Sequence, residues 1–145
     1  MKCLVQRVNY AICKTNNTEI SRINKGLLVL ASYTHTDTEE NNIKMAKKLA
    51  NLRIFEDDQG KMNKSLLDLN LEILIISQFT LYGDTNSGNR PSFTNCLDPN
   101  EANELYEDFL KRFEEYNLIP KHGKFRTDMQ IELENDGPCT FELEI

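Results

Sequence analysis

Two aliphatic hydroxyls, a carboxamide and a phenol fall together in Ser77-Gln78-Phe79-Thr80-Leu81-Tyr82. The cluster directly follows the apolar run Leu71 to Ile76 and precedes the glycine-bearing segment Gly83 to Arg90. An apolar run of about four to eight residues bounded by turn signals reads as a core strand. Polar groups delivered to the end of such a strand, on a rigid support, are where chemistry is usually built. A hydroxyl becomes a nucleophile only beside a base, and Ser77 and Thr80 have none in their own stretch. His35 could serve in three dimensions, although a lone histidine in a polar loop is more often a surface residue. Asp84 is the one carboxylate close behind the cluster.

A second unusual stretch is Asn135-Asp136-Gly137-Pro138-Cys139-Thr140-Phe141. Asp-Gly between alternating segments predicts a hairpin turn. Pro138, however, falls where the second strand should begin, and proline is tolerated only at edges or strand starts because it removes a ladder donor. A Gly-Pro turn also leaves two carbonyls without side-chain cover, free to face a ligand.

The elements that must position these stretches can be read in chain order. Residues 3–14 predict two short strands around Asn9, with Arg7 an internal charge of the solvated or ion-paired kind. Thr15 to Asn24 is polar and turn-rich, and Lys25 to Ala31 predicts a buried strand. Asp37, with Glu40 three residues on, predicts a cap and a helix to about Arg53. Its inward face would carry Ile43, Ala46, Leu49 and Ala50, leaving Lys44, Lys47 and Lys48 in solvent. Phe55 to Met62 has the Asp and Gly content of a turn between extended pieces and lacks the ligand spacing of a calcium loop. Asp98 and Pro99 predict the start of a second helix running to about Tyr116. Its aromatic stripe, including Tyr106, Phe109 and Phe113, reads as core packing. After the breakers Pro120 and Gly123, Met129 to Leu133 and Cys139 to Ile145 alternate as two half-buried strands.

The chain has 145 residues, 39% hydrophobic and 28% charged, the profile of one globular domain with a core of its own. No apolar run approaches the length of a membrane span, and Gln6 and Arg7 interrupt any leader-like segment. A cytoplasmic protein without a membrane partner is expected. Cys3, Cys13, Cys96 and Cys139 form no Cys-x-x-Cys pair, so neither a disulfide framework nor a zinc site is expected and Cys3 and Cys139 read as buried thiols. No metal and no cofactor is implied. A net charge of −6 argues against coating nucleic acid non-specifically, and a DNA partner is not expected, while recognition of an RNA end stays open. Strands that precede, separate and follow two helices predict a mixed α/β fold in layers.

The two stretches, with Arg90-Pro91-Ser92-Phe93 between them, resemble the signatures of the D-aminoacyl-tRNA deacylase family. Val5-Gln6-Arg7-Val8, Gly26 to Leu30, Leu52 to Phe55, Gly60 to Asn63 and Asp128-Met129 stand in the same order, so the resemblance spans residues 1–145. It implies a single-domain β/β/α sandwich with a barrel-like β core and two main helices. It also implies a homodimer that hydrolyses the ester of D-aminoacyl-tRNA, and of glycyl-tRNA mischarged on tRNA-Ala, acting on the aminoacyl-tRNA 3′ end. The Gly137-Pro138 bond would be cis and would enter the partner's active site, where its carbonyls hold the substrate amino group and leave no room for an L side chain. Ser77, Gln78, Phe79 and Thr80 would form the catalytic stretch, with Gln78 positioning the terminal 2′-hydroxyl and N–H groups near Phe79 and Thr80 polarising the ester. Arg7, Met129 and Asn135 would support the site.

Two departures from the resemblance stand out. Asn86-Ser87 occupy a stretch where a basic residue is common, and Arg126-Thr127 replace smaller residues before Asp128-Met129. Two other readings remain open: a small-molecule esterase using Thr80 or Ser77 with His35, and a non-catalytic module that binds RNA ends.

Overall fold

Every position from Leu27 to Leu30 and from Ile73 to Ile76 is apolar, and a strand built from such a run must be covered on both faces. In the computed structural model, which describes residues 1–145, the two runs lie side by side at the parallel centre of one sheet. In chain order the elements are β1 (Lys2–Thr15), β2 (Thr18–Ile23), β3 (Gly26–Ser32), α1 (Glu39–Ala50), β4 (Phe55–Glu56), β5 (Met62–Lys64), α2 (Leu66–Leu69), β6 (Glu72–Ser77), α3 (Pro99–Lys111), β7 (Lys121–His122) and β8 (Gln130–Glu144). Short 3-10 turns, Phe79–Tyr82 and Arg112–Tyr116, follow β6 and α3. The main sheet runs β2-β1-β3-β6-β7 with β8 antiparallel along β1, while β4 and β5 form a separate hairpin. Parallel pairing of β3 and β6 requires a crossover, and the connection carries α1 over the sheet.

Successive side chains of β3 and β6 point to opposite faces, and each face has its own core. Leu27, Val29, Ile73 and Ile75 join Met45, Leu49, Phe109 and Phe113 beneath α1 and α3. Leu28, Leu74 and Ile76 join Val8, Ala11 and Cys13 of β1 and Ile23 of β2, with Ile131 and Leu133 packed against them. The architecture is mixed α/β: a nearly closed, barrel-like sheet filled from within, with two main helices on its outer face. Cys3 and Cys139 are buried as expected, and all four cysteines are free thiols.

Several expectations are corrected. Residues 3–14 form one strand, because Asn9 on the exposed face is bonded through Nδ2 to Glu134 of the neighbouring strand at 2.6 Å and needs no break. The polar stretch Thr15 to Asn24 holds only a two-residue turn at Asn16 and Asn17, both left-handed, before β2 pairs back on β1. Asn135 to Gly137 is not a hairpin turn: it lies within β8, both halves of which pair with β1. α1 begins after Thr38, whose side chain makes a capping box with Asn41, because Asp37 is engaged by the Met1 ammonium and by Thr34 N. It ends at Ala50 instead of Arg53.

The inward face of α1 also differs. Asn42, Met45, Ala46, Leu49 and Ala50 are buried while Ile43 is exposed. Asn42 is fully enclosed, and its Nδ2 donates to Leu105 O at 2.8 Å and to Asp108 Oδ2 at 2.9 Å. Its Oδ1 accepts from the Tyr33 hydroxyl at 3.1 Å. A buried amide with all these partners ties α1 to α3, and its loss would orphan each of them. Asn42→Ala is expected to lower stability by about 2 to 3 kcal/mol in denaturant titration, whereas Ile43→Ala, on the exposed side, should change it by less than about 1 kcal/mol.

Candidate active site

β3 and β6 end level, with Ala31 beside Ser77, so the end of β3 catches the chain as it leaves β6. Gln78 N donates to Ala31 O at 2.8 Å. Ser32 Oγ and Cys96 Sγ donate to Phe79 O at 3.2 and 3.3 Å. The chain then enters the 3-10 turn Phe79–Tyr82. The first N–H groups of such a turn, those of Phe79 and Thr80, have no acceptor within it.

A cavity of about 790 Å³ opens at this strand end. Ser77, Gln78, Phe79 and Met129 of the expected site line it. Phe79 is 57% exposed and meets Phe93 edge-on, with ring centroids 5.0 Å apart, so the mouth carries an aromatic lip. Met129 reaches the cavity because Gly123 gives it room: a Cβ at Gly123 would stand 2.5 Å from the Met129 sulfur. Leu97, Ala102 and Phe125 complete apolar walls that the sequence did not assign to a site. Ala102 belongs to the stripe read as helix core, and the breakers Pro120 and Gly123 are the only signal that the chain beside Phe125 leaves regular structure.

No nucleophile and base meet here. Thr80 lies outside the cavity lining, and its hydroxyl accepts from Gln78 Nε2 at 2.6 Å. His35 is also outside the lining, and its Nε2 donates to the Thr94 carbonyl at 2.8 Å. Asp84 accepts from the backbone and side chain of Asn86 and does not line the cavity. Cys96 does line it, but burial pushes its thiol up, away from the reactive thiolate. What the wall offers instead is the Gln78 carboxamide and the Phe79 backbone, with the Thr80 N–H next along the turn, groups of the kind that can hold and polarise a carbonyl.

The second motif forms a separate locus. Gln6 pairs with Thr140 and Val8 with Asn135, so Asp136 to Cys139 loops out of the ladder opposite Arg7 alone. The Gly137-Pro138 bond is cis, and both residues are exposed. Asn135 closes the base of the loop, accepting from Cys139 N at 2.9 Å and donating to Thr140 Oγ1 at 2.8 Å. Arg7, read from sequence as a solvated or ion-paired charge, is the ion-paired kind and is buried beneath the loop. Its Nη1 donates to Ile54 O at 2.7 Å, and its Nε stands 3.1 Å from Asp136 Oδ2 and 3.3 Å from Asp136 O. Burial raises the Cys139 thiol, and Arg7 works against that rise. None of Arg7, Asn135, Gly137 and Pro138 lines the cavity. A single chain therefore does not bring its two motifs into one pocket.

A family model described as D-Tyr-tRNA(Tyr) deacylase matches residues 4–144. The D-aminoacyl-tRNA deacylase of Thermosipho melanesiensis is 48% identical over 145 residues, covering 99% of this chain and 97% of that protein. That of Clostridioides difficile is 46% identical over 144 residues with the same coverage, 99% and 97%. Among solved structures, one described as "c-Myc DNA Unwinding Element Binding Protein" is 39% identical with a TM-score of 0.93, covering 100% of this chain and 99% of that one. Another, described as a "probable eukaryotic D-amino acid tRNA deacylase", has a TM-score of 0.81 at 17% identity over 98% of each chain and speaks for the fold alone.

The Arg7 contacts set an expectation for the loop. Arg7→Met keeps an unbranched apolar stem but removes the guanidinium, leaving the Ile54 carbonyl unpaired and Asp136 without its cation. It should cost about 2 to 4 kcal/mol in denaturant titration. Hydrogen exchange should show the amides of Asp136, Gly137 and Cys139 opening more than in the wild type, with those of β6 little changed.

Proposed function

Because the chain belongs to the D-Tyr-tRNA(Tyr) deacylase family, we propose that it hydrolyses the ester joining a D-amino acid to the terminal adenosine of tRNA. Residues 1–145 would act as one deacylase domain in the cytoplasm. The observation that carries this reading is the cavity at the end of β6, lined by Ser77, Gln78, Phe79 and Met129 and without a nucleophile–base pair, in a chain that matches the family over residues 4–144. In the reaction, water attacks the acyl carbon, the bond from that carbon to the ribose oxygen breaks, and a proton returns to the ribose hydroxyl. Gln78 positions the neighbouring 2′-hydroxyl, and the N–H groups of Phe79 and Thr80 polarise the ester carbonyl as charge develops on it.

Chirality would be read by the Gly137 and Pro138 carbonyls, which hold the substrate amino group where an L side chain has no space. Glycine has no side chain to exclude, so glycyl-tRNA mischarged on tRNA-Ala falls within the same filter. The separation of Gly137 and Pro138 from their own chain's cavity supports a homodimer in which each copy completes the other's site. Their exposure leaves them free to do so. The esterase using Thr80 or Ser77 with His35 has less support, since His35 is bonded to Thr94 and outside the lining. The net charge of −6 also gives little support to a DNA-binding role.

D-tyrosyl-tRNA is expected to release its amino acid at least about 100-fold faster than L-tyrosyl-tRNA, and equal release from the two would overturn the reading. Thr80→Ala should retain activity within about tenfold. Gly137→Ala should lose about 100-fold or more, because φ at Gly137 is +126° and a Cβ would stand 3.2 Å from Arg7 Nη2. The reverse ranking of these two variants would point to Thr80 as a covalent nucleophile.

A further inference from the structure

Arg126 sits in the turn that leads from β7 to Met129, and it lines the cavity. Its side chain is exposed, donates no hydrogen bond and forms no ion pair, in contrast to Arg7, Arg22 and Arg112. Its φ is +54°, and the other four non-glycine residues at positive φ, Asn16, Asn17, Asn70 and Asn117, are all asparagine. Asparagine and glycine suit that conformation, whereas a long side chain there carries a backbone cost. An arginine held at such a position, with its guanidinium uncommitted beside a cavity, has no local structural reason to be arginine. Lys121 and Lys124 lie just before it, exposed and without carboxylate partners. No acidic residue falls between Lys121 and Thr127.

The other charges of the cavity wall are Asp98 and Asp128. The Asp98 carboxylate already accepts from Asn100 N at the start of α3, so that helix end is occupied by an anion. Asp128, two residues further along the same segment, adds a second negative charge, so Arg126 is the only cationic side chain of the wall. A cavity that takes the uncharged terminal nucleoside must still accommodate the phosphate joining it to the nucleotide before.

Resting on the deacylase reading, we propose that Arg126, with Lys124 beside it, is a positioning residue that binds the internucleotide phosphate next to the terminal adenosine of the RNA 3′ end. The guanidinium fork suits a phosphate's paired oxygens. The contact would act on docking of the RNA and leave the ester chemistry untouched.

The test uses the full chain and a labelled single-stranded RNA ending in CCA, with binding followed by fluorescence anisotropy at several salt concentrations. Arg126→Asn is expected to weaken binding about fivefold to tenfold and to lower the slope of log affinity against log salt by about 0.7, the value for one single-strand phosphate. Because asparagine fits the left-handed turn, the thermal midpoint of Arg126→Asn should be no lower than that of the wild type, which separates lost contact from lost fold. Arg126→Lys should retain most of the affinity. Lys47→Gln, on the solvent side of α1, should bind as the wild type does. The proposal is overturned by unchanged binding of Arg126→Asn, by an equal loss in Lys47→Gln, or by a wild type that shows no salt-dependent binding. Hydrolysis of D-tyrosyl-tRNA is read separately: Arg126-dependent binding without D-selective turnover would remove the deacylase reading and leave the phosphate contact standing.

Discussion

The geometry of the second motif depends on one buried cation. The Arg7 side chain is 5% exposed, and a guanidinium so enclosed has to be met by acceptors on its several N–H groups. It finds them on two segments distant in sequence, the Ile54 carbonyl before β4 and the Asp136 carboxylate and carbonyl in β8. The site lies where β1 passes between the two cores, since Cys3 and Val5 belong to the cluster under the helices and Val8, Ala11 and Cys13 to the one inside the sheet. β8 makes the same passage, with Ile131 and Leu133 packed on one cluster and Cys139 in the other. Four residues of β8, Asp136 to Cys139, oppose the single residue Arg7 at that point. The extra length is expelled as a loop, and the cation beneath it fixes where the loop stands.

The first motif rests on a different constraint. β3 and β6 have apolar residues on both faces because both faces are covered, and such strands have little freedom to slip. Their level ends fix Ser77 beside Ala31 and Gln78 N on the Ala31 carbonyl. The Phe79 carbonyl, held by Ser32 and Cys96, turns the chain into its 3-10 turn. A site of this kind draws its rigidity from the centre of the core, which suits a role that asks for placed donors instead of a mobile nucleophile.

Elements whose burial pattern is written in their own residues were legible in the sequence. The apolar runs of β3 and β6, the Asp98-Pro99 start of α3 and the inward thiols of Cys3 and Cys139 are of this type. What escaped depended on partners far along the chain. Asn42 was not assigned to the inward face of α1, because nothing near it in sequence announces Tyr33, Leu105 and Asp108 as partners. Asn9 looked like a strand break because its bond to Glu134 crosses most of the chain. Asp136-Gly137 looked like a hairpin because the signal for a turn is the same whether the chain reverses or bulges outward. The lining residues Leu97, Ala102 and Phe125 were hidden for a similar cause: apolar residues that fill a core and those that wall a cavity are the same residues in one dimension.

The division of the two motifs has a consequence for selectivity under the proposed reaction. A filter that admits a small substituent and rejects a larger one in the mirror position gains little from attraction, since both enantiomers offer the same ester, amino group and nucleoside. Discrimination has to come from a clash that cannot relax. Backbone carbonyls serve this purpose better than side chains, which can change rotamer, and the Gly137-Pro138 loop is braced by Arg7 below and Asn135 at its base. Under that reading the wall lies outside its own chain's cavity, so a second copy would have to supply it to the site where the RNA end binds. In that scheme Phe79, Gln78 and the backbone donors would need only to orient a substrate selected by the loop, a task that asks for no base beside the hydroxyls of Ser77 and Thr80.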